Sequence, residues 1–237
     1  MHLLTRRGFA LAGVVLLALS VTGCGDKEPE QRKAFITFLQ TRIVDKPGVH
    51  VPKLTDGEVS SLGSYVAHFN VISGFTNNPD MEAIAKQMAQ VTQRVSINSI
   101  QELIDNRGAL RSVKDDLGKL TVAMNSNLEK TMRERDGLKQ PDDLKGVYDK
   151  AFDKDVLAPV RAINETVPLV VDIADAALKF ADYVDANRSK VTIQGKSVGG
   201  KDARTQREID NLVKNLSAQA PKFQDAQRRL RVVLTGS

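Results

Sequence analysis

Residues 110–132, LRSVKDDLGKLTVAMNSNLEKTM, decide the fold class. Leu110, Val113, Leu117, Leu120, Met124, Leu128 and Met132 recur at intervals of three and four, the spacing of one face of an α-helix. No Pro interrupts the stripe, which runs from Gly108 to about Gly137. That predicts a helix of roughly 28 residues, on the order of 40 Å long, with a single buried side.

The same period extends in both directions. Upstream, Phe35, Ile36, Leu39 and Ile43 share a face of a helix beginning near Pro29, and Lys46 to Leu54 reads as a loop. Thr55-Asp56-Gly57-Glu58 has capping-box spacing and precedes Val59, Leu62, Val66 and Phe69. Asn77-Asn78-Pro79 ends that helix and starts another, with Met81, Ile84, Met88, Val91 and Val95 inward. A short helix follows at Ile100–Asn106. Downstream, Pro141 opens a helix with Leu144, Val147, Tyr148 and Phe152 facing in. Pro159 and Pro168 each interrupt the next stretch, marking first turns or kinks, and Leu169, Ile173, Ala177, Phe180 and Val184 continue it. One last helix carries Ile209, Leu212, Leu216, Phe223, Leu230 and Val233.

One segment departs from the pattern. Val191-Thr192-Ile193 and Lys196-Ser197-Val198 flank Gln194-Gly195, and Gly199-Gly200 follow, as in a short hairpin that must lean on helices. The expected fold is mainly α, an elongated multi-helix bundle with one short β-hairpin before the last helix. With no repeat and no low-complexity linker, residues 24–237 read as a single helical domain.

Residues 1–23 read as a signal peptide. Arg6 and Arg7 give a positive start, the stretch from Phe9 to Val21 is apolar, and no acid occurs before Cys24. Val21-Thr22-Gly23-Cys24 resembles the bacterial lipobox, which implies cleavage before Cys24, a diacylglyceryl group on its sulfur and a further acyl chain such as palmitate. Thr5-Arg6-Arg7-Gly8-Phe9 is similar to a twin-arginine export motif, although a Sec signal with two arginines is the reading favoured. Gly25, rather than Asp, after the lipid site tilts the destination to the outer membrane. Only Gly25, Asp26 and Lys27 precede the first helical pattern, a tether of about 10–15 Å, so the body sits near the bilayer, facing the periplasm.

Composition bounds the rest. The chain of 237 residues is 41% hydrophobic, 27% charged and 5% aromatic, with one Cys and no Trp. Those values exclude a disulfide scaffold, a Cys-rich zinc protein and a multi-span membrane protein.

Cys24-x-Asp26-Lys27-Glu28-x-x-Gln31-Arg32-Lys33-Ala34-Phe35-Ile36-x-Phe38-Leu39-Gln40 resembles the start of the mature YiaF-like lipoproteins, a bacterial family of unknown function. Asp142-Asp143-Leu144-Lys145-x-Val147-Tyr148-Asp149-x-Ala151-Phe152 is also similar, with Tyr148 where that family has Phe. Gly108-x-Leu110-Arg111 and Leu117-Gly118-x-Leu120 match more loosely, and the C-terminal third diverges. The resemblance implies a lipidated envelope protein and brings no catalytic or binding residues.

Catalytic patterns are sparse. His50 sits in a Pro/Gly loop and His68 on a helix, with no Cys partner and no zinc-ligand spacing. Gln194-Gly195-Lys196-Ser197 lacks the upstream glycine of a phosphate loop. The reading is of no enzyme, metal or cofactor. Asp172, Asp175, Asp182 and Asp185 share a face opposite Ile173 and Phe180 and read as the solvated side of a helix.

Positive charge is more uneven. Arg188, Lys190, Lys196, Lys201, Arg204 and Arg207 are offset only by Asp202, and Arg228, Arg229 and Arg231 add a second group. The remainder of residues 24–237 is net −5. The six cations are candidates for contact with an anionic surface: lipid headgroups, lipopolysaccharide phosphates or cell-wall carboxylates. The plainer reading is a solvated hairpin, with C-terminal arginines complementing a helix dipole. Few aromatics and an export signal point away from nucleic acid. Two functions follow. The first is a membrane-anchored binding or scaffold protein with an envelope partner. The second is a carrier or sensor of an apolar ligand such as lipid, with Met81, Met88, Met124 and Met132 as adaptable walls rather than ordinary core.

Overall fold

The computed structural model describes residues 27–77, 79–94 and 99–237, without the side chains of residue 85 and residues 88–94. The expected signal peptide, Cys24, Asn78 and Val95 lie outside the described residues, and Met88 and Val91 outside the described side chains.

The chain folds as an elongated helical bundle with one antiparallel hairpin. Helix α1 (Glu28–Leu39) continues through a π turn, Gln40–Val44. The predicted capping box starts α2 (Asp56–Leu62): the Thr55 hydroxyl accepts from the Glu58 N–H at 3.2 Å, and the Glu58 carboxylate accepts from the Thr55 N–H at 2.8 Å. A 3₁₀ turn leads into α3 (Val66–Thr76), and α4 (Pro79–Arg94) follows. Ser99 caps α5 (Ile100–Asp105), and the helix of the opening sequence is α6 (Arg107–Asp136).

Pro159 marks a first turn, one of the two outcomes the sequence predicts, but the helical path does not break there. Helix α7 (Asp142–Phe152) passes through a π turn, Asp153–Leu157, into α8 (Ala158–Ala186) without leaving helical geometry. Pro159 lies in the first turn of α8, where a missing N–H is tolerated, and the wider π turn precedes it. Pro168 sits inside α8 at the cost of one backbone bond. From Asp142 to Ala186 the helical path is on the order of 65 Å long.

A correction concerns the C-terminus. The expected last helix is two, α9 (Ala203–Ser217) and α10 (Ala220–Thr235), because Pro221 cannot donate to the preceding turn and instead opens a new one. Both pack along α8 on the return path. Between α8 and α9, β1 (Val191–Gln194) pairs with β2 (Ser197–Gly200), with Val191 opposite Gly200 and Gln194 opposite Ser197. The turn is therefore Gly195-Lys196, one residue later than the sequence suggests.

Two buried clusters occupy the two ends. The first joins Phe35, Leu39, Phe69, Ile72, Tyr148 and Phe152 to Leu120 and Met124 of α6. Met81 and Met132 pack against it. The second joins Leu103, Leu110, Phe180, Val184, Val191 and Ile209. Between them Val113, Leu117 and Val167 form a narrow waist where α6 meets α8.

The first cluster holds two polar anchors. The Lys154 ammonium donates to the carbonyls of Ile43, at 2.7 Å, Val44, at 3.1 Å, and Lys46, closing the C-terminal end of the first helical segment. The neighbouring Asp155 is 0% exposed; one carboxylate oxygen accepts from the His50 N–H at 3.0 Å, and the other has no hydrogen-bond partner among the described residues. Burial pushes its pKa above the usual aspartate value, against smaller opposing effects of the His50 N–H, Lys154 and His50. A raised folded-state pKa means that its contribution is favourable when protonated and is lost as pH rises through that value. Asp155→Asn should therefore stabilise the chain near neutral pH by on the order of 1 kcal/mol, with the gain shrinking towards pH 4. Urea unfolding of both proteins across that range checks it; a gap independent of pH would contradict the assignment.

Candidate functional site

The predicted cations lie together at one end of the molecule. Gly195 takes φ +57° at the first position of the two-residue turn, as the type I′ and II′ hairpin turns both require. Its carbonyl accepts from the Ile100 N–H at 3.0 Å, tying the tip to α5. The Lys201 N–H donates to the Lys190 carbonyl at 2.8 Å and closes the base. Val191 is buried, and Ile193 and Val198 lean on the second cluster, so the hairpin rests on helices as its small size demands.

On this support the six side chains are exposed but not equivalent. Arg188 pairs with Asp185 at 2.7 Å, and the Lys201 ammonium donates to the Ser189 carbonyl at 3.0 Å. Lys190 approaches Asp202, whose carboxylate caps α9 by accepting from the N–H groups of Arg204 and Thr205. Those bonds and the Thr205 hydroxyl hold the Asp202 pKa below the usual range. Lys196 at the turn and Arg204 and Arg207 on the first turns of α9 make no ion pair among the described residues. Glu208 and Asp210 lie next on α9, and the amide of Gln206 donates to Asp210.

The carboxylate stripe is not simply solvated. Arg107 donates to Asp182 at 3.0 Å and Asp185 at 2.7 Å, Arg111 reaches Asp182 at 3.3 Å, and Lys114 pairs with Asp175. These bonds form a polar seam between antiparallel α6 and α8. Hydrogen bonds from Arg188 and Arg107 depress the Asp185 pKa. A signal for the seam was present in the sequence: Arg107 and Lys114 are seven residues apart, as are Asp175 and Asp182. Asp172 is exposed and makes no ion pair among the described residues. Two of the C-terminal arginines also find carboxylates, Arg228 and Arg229 on Asp225 and Arg229 on Glu165.

At the opposite end, His68 packs against Phe35, Tyr65 and Tyr148, and burial lowers its pKa, favouring the neutral ring. Tyr148 donates its hydroxyl to the His68 carbonyl at 3.0 Å, a bond that Phe could not make. The Tyr65 hydroxyl bonds Glu28, and burial raises its pKa to about 12. Arg135 pairs with Asp149 at 2.6 Å and lies over the Phe152 ring. A groove of about 600 Å³ between α1 and α2 has Phe38 and Leu62 as its floor and Arg42 and Glu58, paired at 2.6 Å, on its rim. Among the described residues no three His, Cys, Asp or Glu side chains gather as metal ligands, and no helix is long and apolar enough to cross a membrane.

The model of a family described as a protein of unknown function (DUF3053) matches residues 12–231. Two uncharacterised proteins named YiaF, from Escherichia coli K12 and Shigella flexneri, are each 29% identical over 223 residues, spanning 93% of this chain and 93% of their own. No solved structure matches.

Close packing of the hairpin on α9 generates a test. A Cβ on Gly200 would lie 2.3 Å from the Gln206 nitrogen, whereas one on Gly118 of α6 would meet nothing within 4 Å. Gly200→Ala should destabilise by about 1–3 kcal/mol and Gly118→Ala should stabilise by about 0.5–1 kcal/mol. Thermal unfolding of both variants decides; equal effects would refute the docked hairpin.

Proposed function

The chain belongs to the DUF3053 family of proteins of unknown function, and from that premise we propose that it is a non-enzymatic envelope lipoprotein, anchored through Cys24, that holds a binding surface away from its membrane. The sequence of residues 1–24 supports the anchor, and Gly25 favours the outer membrane. The separation of the two ends carries the reading. Helix α1 lies parallel to α7, with Arg32 on Asp143 at 3.3 Å near their starts and Lys154 on the carbonyls of Ile43 and Val44 near their ends. Lys27, next to the tether, therefore sits beside the start of the long helical path, and the basic hairpin follows its finish at Ala186. A tether this short fixes one end near the bilayer and leaves the other about 65 Å along the path.

The carrier reading has less to rest on. Met124 is 1% exposed within the first cluster, and Met81 and Met132 pack against that cluster, so these side chains serve as core.

Labelling cells with a clickable palmitate analogue should mark the wild-type chain, and Cys24→Ala should lose the label and leave the membrane fraction. Photo-crosslinking probes at Lys196 and Arg207 should then give adducts that a probe at Val122 does not. Membrane retention of unlabelled Cys24→Ala would sink the anchor, and turnover of an envelope substrate by the purified protein would sink the non-enzymatic part.

A further inference from the structure

We infer that the basic end, centred on Lys196, Arg204 and Arg207, binds the carboxylate-bearing peptides of the cell-wall polymer rather than the headgroups of the anchoring bilayer. The inference rests on the anchored orientation proposed above. Three observations on different parts of the molecule lead to it.

The first is placement. These cations follow Ala186, at the far end of the helical path from Lys27, so an upright body carries them beyond the headgroup layer in which its own anchor sits. Lying flat would bring them back to the bilayer, but outside the two basic groups residues 24–237 are net −5, which opposes contact of the long sides with anionic lipid. Moreover, two of the three arginines of the second basic group, Arg228 and Arg229, are already engaged by Asp225 and Glu165.

The second is the chemistry of the tip. Gln194, Gly195, Lys196 and Ser197 present no apolar wedge, and the apolar residues of the hairpin, Val191, Ile193 and Val198, turn into the second cluster. A surface of this kind suits a hydrated anionic polymer and offers nothing to acyl chains. Arg204 and Arg207, three residues apart on α9, present guanidinium forks suited to carboxylates.

The third is preorganisation. Bonds from Ile100 to the Gly195 carbonyl, from Lys201 to the Lys190 carbonyl and from Gly200 to the Gln206 side chain at 2.8 Å hold the hairpin against α5 and α9. The cations are thus presented on a fixed frame, and repeated carboxylates on one polymer would add avidity.

The test uses full-length lipidated protein in mild detergent, mixed with purified insoluble cell-wall sacculi and pelleted at low salt. Wild type should co-sediment, and high salt should release it. The triple variant Lys196→Gln, Arg204→Gln, Arg207→Gln should bind roughly 100-fold more weakly, as should wild type on sacculi whose carboxyls have been amidated. Circular dichroism melts establish that the variant is folded; should it not be, the amidation arm decides alone. Equal sedimentation of variant and wild type, or undiminished binding to amidated sacculi, would overturn the inference. So would wild type that ignores sacculi but binds vesicles of anionic phospholipid through the same three residues. The mass of Cys24 in the same preparation reports the lipid separately, so a missing anchor and a missing wall contact are distinguishable.

Discussion

The persistence of one helix from Asp142 to Ala186 is the constraint on which the rest of the structure depends. Two prolines lie on this path, and neither ends it. The π turn at Asp153–Leu157 widens the helix just before Pro159, and its side chains Lys154 and Asp155 reach back to the end of the first helical segment and to the loop beyond it. A break there would separate the cluster around Phe35 and Tyr148 from the cluster around Phe180 and Val184. As it is, α1 lies beside the first part of the path, α6 beside the second, and α9 with α10 return along it to the loop near Gly48, where the Val49 N–H meets the Leu234 carbonyl at 3.1 Å.

Much of this was legible in the amino-acid sequence because helical burial leaves a period of three and four. The stripe from Leu110 to Met132 located α6, the Thr55–Glu58 spacing located the start of α2, and the β-branched run around Gly195 located the hairpin. Local rules misplaced what depends on tertiary neighbours. Pro159 does open a first turn, but that the path stays helical through it depends on the preceding π turn, and Pro221 opens a new helix although the apolar spacing continues across it. The resemblance carried by Cys24–Gln40 and Asp142–Phe152 does correspond to the family whose model matches residues 12–231. Those blocks include the two helices that lie side by side at the first cluster, Phe35 stacked on Tyr65 and near Tyr148.

The candidate site was legible as a list of cations but not as a graded surface. Sequence counts Arg188, Lys190, Lys196, Lys201, Arg204 and Arg207 alike, whereas folding engages Arg188 with Asp185 and turns Lys201 onto the Ser189 carbonyl. Likewise, the seven-residue spacing shared by Arg107 with Lys114 and Asp175 with Asp182 becomes a pairing only once α6 and α8 are known to be antiparallel. Charge in a sequence is a property of residues; free charge is a property of the fold, because neighbours distant along the chain decide which groups remain for a partner.

The parallel arrangement of α1 and α7 has a mechanical consequence. If the body is fixed through the residues before Lys27 and pulled from the hairpin, α1 is drawn one way and α7 the other along their common axis. The contacts of Arg32 with Asp143, Phe35 with Tyr148 and Lys154 with the Ile43 carbonyl are then strained in shear, all at once, rather than peeled apart in sequence. Such a geometry resists tension between two attachment points far better than its thermodynamic stability alone would suggest.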